Sequence, residues 1–221
     1  MSIGHYCEPP GLPEFMTWEE LEQLPEEVAG QIELWNGRVV WVRRGPAEHQ
    51  DYTNTIWNAL RHHARESMSV DRDQCWRAST ETSIFFGPTG KSDFVTPDVL
   101  IYRCLANRYQ DIRGDDVLLA GEVLSPSNRY SDIEAKKARY AEARIPWYWE
   151  VALSHAAEPV HGIDTVRAYA LETGPGSLPA GVQPLHPANY ILIDEWNPKN
   201  TSGIHTIFPF PIDIPWTELE P

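Results

Sequence analysis

Thr96-Pro97-Asp98-Val99-Leu100-Ile101-Tyr102 is followed by Val117-Leu118-Leu119-Ala120-Gly121-Glu122-Val123-Leu124 and then by Ser131-Asp132-Ile133-Glu134-Ala135-Lys136-Lys137. The first two segments read as short apolar strands, each with one carboxylate interrupting the pattern. The third opens a helix, with Ser131 as N-cap and Glu134 completing a capping box. If the strands pair antiparallel with Tyr102 opposite Leu118, Asp98 falls opposite Glu122, since both pairs of numbers have the same sum. Opposed residues share a face with Cβ atoms about 4.5–5.5 Å apart, where like charges repel. A hard divalent cation, Mg²⁺ (or Mn²⁺), would relieve that repulsion by taking both carboxylates, with the Val123 carbonyl as a further ligand. Lys136 lies in the second helical turn, with Asp132 at i−4 to steady it. A lysine beside such an ion could orient or deprotonate a water, or stabilise charge on a phosphate. The plainer alternative is a buried ion pair between Glu122 and Lys136.

Outward from this stretch, Asn36-Gly37 between residues 31–35 and 38–42 is a type I′ hairpin signal. It puts Glu33 on a strand, as a solvated or cross-strand paired residue. Thr17 and Glu20 form a capping box ahead of a short helix that Pro25 ends. Residues 48–67 carry Ile56, Ala59, Leu60, His63 and Ala64 at helical spacing, with His49 in the first turn, where an N-terminus suits a neutral imidazole or a bound anion. Residues 76–86 read as one or two strands and residues 95–102 as one continuous strand. Residues 87–91 form a turn that lacks the second half of a P-loop. Residues 146–151 read as a last core strand, and beyond 153 only short strand candidates remain around a Pro- and Gly-rich insertion at 174–187. Three units are expected: an arm over 1–15, the main domain over 16–171, and a C-terminal extension over 172–221 packed on the same domain.

Composition narrows the class. The 221-residue chain is 42% hydrophobic with nine tryptophans, so a packed core is expected. No apolar run approaches the length a membrane helix needs, and neither a secretory signal nor a membrane partner is expected. Cys7, Cys75 and Cys104 are odd in number and widely spaced, which predicts a reduced, cytoplasmic protein. The formal charge of −14, from 18 basic and 32 acidic residues, argues against broad nonspecific binding to nucleic acid. Arg129, Lys137 and Arg139 nevertheless place a local basic cluster beside Lys136. The apolar stretch Ile204–Trp216 points to a homodimer.

Taken together, Pro97-Asp98, Glu122-Val123-Leu124-Ser125-Pro126-Ser127, Asp132 with Lys136, Tyr140 and Pro146-Trp147-Tyr148-Trp149 resemble a bacterial family of restriction-endonuclease-like proteins. That family is expanded in cyanobacteria and belongs to the PD-(D/E)xK nuclease superfamily. Glu33-Leu34-Trp35-Asn36-Gly37 and Pro46-Ala47-Glu48-His49-Gln50 are similar to its opening, and the resemblance covers residues 16–171. It implies an α/β fold, a restriction-endonuclease-like mixed β-sheet flanked by helices, here with a β-rich C-terminal extension. It also implies metal-dependent cleavage of phosphodiester bonds, with DNA as the expected nucleic-acid partner. Asp98 and Glu122 would bind the metal. The superfamily lysine usually stands two residues after the glutamate, at Leu124 here, so Lys136 would be its migrated substitute. His49 would contact phosphate and Glu33 would assist the metal. The aspartate that often follows the tyrosine-tryptophan pair is missing, because the chain reads Glu150-Val151-Ala152. Two non-nuclease readings stand beside this one: a catalytically inactive nuclease fold acting as an interaction module, and a tryptophan-rich sugar-binding module that leaves the paired acids unexplained.

Overall fold

The structure, a computed structural model, describes residues 11–42, 45–87, 89–107, 109–125, 128–154, 162–172 and 189–221. Residues 1–10 of the expected arm and the 174–187 insertion lie outside them. Thr17 caps α1 (Trp18–Leu21) through the predicted capping box, Glu20 N–H donating to Thr17 Oγ1 while the Glu20 carboxylate accepts from Thr17 N–H. Beyond Pro25, α2 (Glu26–Ala29) leads into the hairpin of β1 (Ile32–Trp35) and β2 (Arg38–Trp41). Its turn holds Asn36 and Gly37 at φ +52° and +80°, the left-handed pair that this dipeptide accommodates.

The long helix α3 (Ala47–Val70) follows, then β3 (Trp76–Thr80), β4 (Ile84–Phe85), β5 (Phe94–Val95), β6 (Val99–Arg103), β7 (Ile112–Arg113) and β8 (Val117–Leu124). Next come α4 (Tyr130–Glu142), β9 (Trp147–Leu153), β10 (Ile163–Leu171), β11 (Tyr190–Trp196), β12 (Gly203–Thr206) and β13 (Ile212–Pro215). The strands form a six-stranded sheet in the order β11-β10-β9-β8-β6-β3, a smaller sheet β2-β1-β5-β4-β7, and the hairpin β12-β13. In the large sheet β8 and β9 are parallel, joined through α4, and the other neighbours are antiparallel, so the sheet is mixed.

Both faces of the large sheet are covered, which is why β8 is almost continuously apolar. On one face Leu119, Val123, Val99 and Trp149 pack with Ile56 and Leu60 of α3. On the other, Ala120, Leu100 and Tyr148 pack with Tyr140 of α4. Trp149, Trp196 and Trp216 are core residues, and so unavailable as the exposed platforms a sugar-binding module would use.

Five expectations change. Residues 95–102 are not one strand: β5 belongs to the small sheet and β6 to the large one, and Thr96-Pro97-Asp98 carries the chain between them. Pro97 has no N–H to continue a ladder, so the break falls there. The register keeps the expected sum at Val99–Gly121, Leu100–Ala120 and Ile101–Leu119, but a bulge sets Tyr102 opposite Val117 instead of Leu118. The helix carrying Lys136 starts at Tyr130 with Arg129 as its cap, because the Asp132 and Ile133 amides both bond to the Arg129 carbonyl. Glu134 is drawn to Lys137 at 2.7 Å, a charge-assisted bond that displaces the expected capping box.

Fourth, Cys75 and Cys104 form a disulfide with Cα atoms 5.3 Å apart. They flank the Trp76–Arg103 pair, so antiparallel pairing of β3 and β6 brings together cysteines that look unrelated along the chain. The stretch expected to form a dimer surface is also largely core. Ile204, Phe210, Ile212, Ile214 and Trp216 are buried in the cluster that contains Ile56 and Leu60, while Ile207 and Phe208 remain exposed. No helix among the described residues is long and apolar enough to cross a membrane.

Gly121 stands where β6, β8 and β9 meet, and a Cβ there would lie 2.6 Å from Val99 Cγ2. Gly121→Ala is expected to destabilise the fold by about 1–3 kcal/mol, read as a lower urea midpoint. A midpoint equal to wild type would show that Val99 yields without cost.

Candidate active site

The site forms where the chain crosses between the two sheets. Pro97 ends the small-sheet ladder, and Asp98 follows at a bend just before β6, with its side chain 17% exposed. Its Oδ2 accepts the Val123 N–H at 2.7 Å. This bond fixes Asp98 against the peptide that follows Glu122, so the two acids meet even though Asp98 lies beyond the last rung of the ladder. His49, in the first turn of α3, donates from Nε2 to the Val123 carbonyl at 2.9 Å and stands 3.3 Å from Asp98 Oδ2. The structure therefore brings together Asp98, Glu122, Val123 and His49.

Lys136 closes the site from α4. Its Nζ lies 2.9 Å from Glu122 Oε1 and 3.2 Å from Glu33 Oε1, and it donates to the Thr96 carbonyl at 2.9 Å. Glu33 is 1% exposed, which rules out the solvated half of the expectation of a solvated or cross-strand paired residue. Its two oxygens are already engaged: Oε1 by the Thr96 amide at 2.8 Å and by Lys136, Oε2 by Trp35 Nε1 at 2.9 Å. Asp132 stays outside this cluster. It is exposed and accepts from Ser131 Oγ at 3.1 Å, leaving Lys136 to Glu33 and Glu122, which offer it a drier and better-directed partnership.

Two groups have a place in the site that the sequence did not assign them. Tyr140, fully buried, donates its hydroxyl to Glu122 Oε1. It stands one turn after Lys136 on the same helical face, a spacing that could have flagged it. Glu81 adopts φ +43° where β3 gives way to β4, donates its amide to the Asp98 carbonyl at 3.2 Å, and accepts from Gln50 Nε2 at 2.7 Å. Only a left-handed backbone on a non-glycine residue marks it, and that is invisible in sequence.

The electrostatics follow from burial and crowding. Burial, helped by the negative charge of Asp98, lifts the Glu122 carboxyl from 4.5 to about 7 against the pull of Lys136 and Tyr140. Burial disfavours charge on Lys136, but Glu122, Glu33 and Asp98 outweigh it and raise its pKa, so the amine stays an ammonium. For His49 burial again opposes charge, while the bond to Asp98 and its field raise the pKa.

The donor set fits a hard divalent cation. Among the described residues no three His, Cys, Asp or Glu side chains form a metal cage. What the site offers is two carboxylates and the Val123 carbonyl, the oxygen-only, partial set that leaves positions for water. Burial, with the charge of Asp98 adding to it, raises the proton affinity of Glu122, and a cation held between the two acids would oppose both effects.

Comparison with known proteins gives a family and a shared fold. The Uma2 family model, described as "Putative restriction endonuclease", matches residues 18–172, and the chain belongs to that family. The crystal structure of "a putative nuclease belonging to DUF820" from Anabaena variabilis shares the fold, with a TM-score of 0.55, 14% identity, and coverage of 92% of this chain and 97% of that one. No curated protein matches the chain.

The Glu122 shift sets a pH dependence. The folded state holds this proton more tightly than the unfolded chain does, so stability is lost as pH rises from about 4.5 to about 7 and levels off above. In denaturant titrations across that window, Glu122→Gln should remove part of the downward slope. Parallel pH profiles for the two proteins would contradict the assignment.

Proposed function

We propose that the protein is a divalent-metal-dependent endonuclease that cleaves phosphodiester bonds in DNA. The observation that carries this reading is the convergence of Asp98, Glu122 and the Val123 carbonyl with the Lys136 ammonium 2.9 Å from Glu122. A cation bound by those three oxygens would polarise the scissile phosphate and lower the pKa of an attacking water. Mg²⁺ and Mn²⁺ both suit an oxygen donor set.

Each protein group then has a distinct task. Lys136 has no free lone pair while it remains an ammonium, so its part is to steady negative charge on the phosphorane, not to take a proton from water. Glu33 holds Lys136 in place, with both of its own oxygens committed. His49 orients the Val123 carbonyl and Asp98, and its position beside Asp98 leaves it close to an incoming phosphate. Tyr140 and Lys136 both engage Oε1 of Glu122, so Oε2 is the oxygen that would take the cation. The reaction needs an ionised Glu122, so cation binding should strengthen as pH rises through about 7.

The competing reading is a non-catalytic interaction module. It is favoured by the −14 charge and by the saturation of Lys136 with protein partners. Nicking of supercoiled plasmid with Mg²⁺ or Mn²⁺ separates the two. Wild type should cut, and Asp98→Ala and Lys136→Ala should each slow cutting by roughly a hundredfold or more. Equal rates in all three proteins would remove these residues from the chemistry. A wild type that neither cuts nor takes up either cation at millimolar concentration in calorimetry would favour the module.

A further inference from the structure

Lys136 and Lys137 are consecutive on α4 but serve adjacent strands. Glu122 of β8 and Glu150 of β9 are register partners in a parallel pair, side by side on the face that α4 covers. Lys136 reaches the first at 2.9 Å, and Lys137 reaches Glu150 Oε1 at 2.8 Å. Glu150 is 5% exposed, and its Oε2 accepts from the Tyr169 hydroxyl at 2.9 Å. Lys137 is also held by Glu134, one turn earlier, at 2.7 Å, and its Nζ lies 4.3 Å from the centre of the Tyr169 ring. The chemistry proposed above uses neither Lys137, Glu150 nor Tyr169. A charge pair this deeply placed is poorly explained by stability, since apolar replacements of buried pairs are often neutral or better.

We propose that Lys137, Glu150 and Tyr169 form a positioning clamp that fixes the rotation and height of α4 so that the Lys136 ammonium stands on Glu122. Successive residues on a helix point about 100° apart, so two anchors to two strands resist a rotation that one anchor would permit. A lysine stem is flexible, and Lys136 alone would follow a rolling helix instead of holding it. Glu134 narrows the Lys137 stem to the orientation that meets Glu150. The clamp rests on the reading of Lys136 as the phosphate-side cation, but its physical content can be tested without turnover.

The test removes all three polar partners at once, as Lys137→Met, Glu150→Leu and Tyr169→Phe in the full chain, so that no buried charge is orphaned. The readouts are thermal melting, the ¹⁵N-detected Nζ resonance of Lys136 (assigned with Lys136→Arg), and plasmid nicking. The expected result is a melting temperature close to wild type, a broadened or lost Lys136 Nζ signal, and kcat lowered roughly 10- to 100-fold with KM unchanged. Lys137→Arg, which preserves the pair, should keep the signal and the rate. A Lys136 signal identical to wild type in the triple variant would overturn the clamp. Should that variant not fold, Glu150→Gln keeps the shape and loses the charge; it must weaken the same signal, and an unchanged signal overturns the clamp there too. A wild type that cuts nothing sinks the nuclease reading and leaves the Lys136 signal to decide the clamp.

Discussion

A lysine held between two buried carboxylates is the interaction on which the rest of the molecule depends. Glu33 comes from the small sheet, Glu122 from the large one, and the Thr96 carbonyl from the segment that joins them, and Lys136 touches all three. Without the ammonium, two acids at 1% and 8% exposure would face one another with no cation between them. Deleting one member of such a group typically costs about 3–5 kcal/mol, because the charge left behind is buried and unpaired. The same contact that joins the sheets therefore fixes the pocket.

The location of the pocket follows from a backbone constraint. Pro97 cannot donate to a ladder, so the strand that begins as β5 must stop and restart as β6 in another sheet. Asp98 falls at the restart, where its carboxylate can accept the Val123 amide instead of pointing into a continuous sheet. The crossing from β3 to β4 runs alongside, tied by the bond from the Glu81 amide to the Asp98 carbonyl. The two seams lie side by side at Asp98, and backbone strain at Glu81 is the kind tolerated where surroundings over-determine it.

Much of this was legible in the chain. Asn36-Gly37, the capping box at Thr17, the periodicity of α3 and the apolar run of β8 each state a local rule that the fold obeys. Strand arithmetic put Asp98 near Glu122, but the ladder stops at Val99 and it is the bond to the Val123 amide that holds Asp98 there, while α4 returns Lys136 across the sheet. What escaped depended on choices that only tertiary contacts make. Residues 95–102 satisfy a strand pattern locally, and nothing in that pattern reports that its two halves join different sheets. Asp132 has the right spacing to pair with Lys136, yet Glu33, far away in sequence, takes its place. Cys75 and Cys104 look isolated until β3 and β6 pair. The apolar C-terminal stretch looks exposed until β12 and β13 fold onto α3.

The proposed chemistry sits more easily with an acidic chain than the charge total suggests, because two of the acids are the proposed cation ligands. Membership of the Uma2 family supports the nuclease-like class, and under the proposal two acids, one carbonyl and one ammonium would supply the means. The most direct test is anomalous diffraction from crystals grown with Mn²⁺. The account predicts a single strong peak within coordination distance of the Asp98 and Glu122 carboxylates and the Val123 carbonyl, with Lys136 beside it. A Mn²⁺-saturated protein with no peak at that seam, or with its ion bound elsewhere, would contradict it.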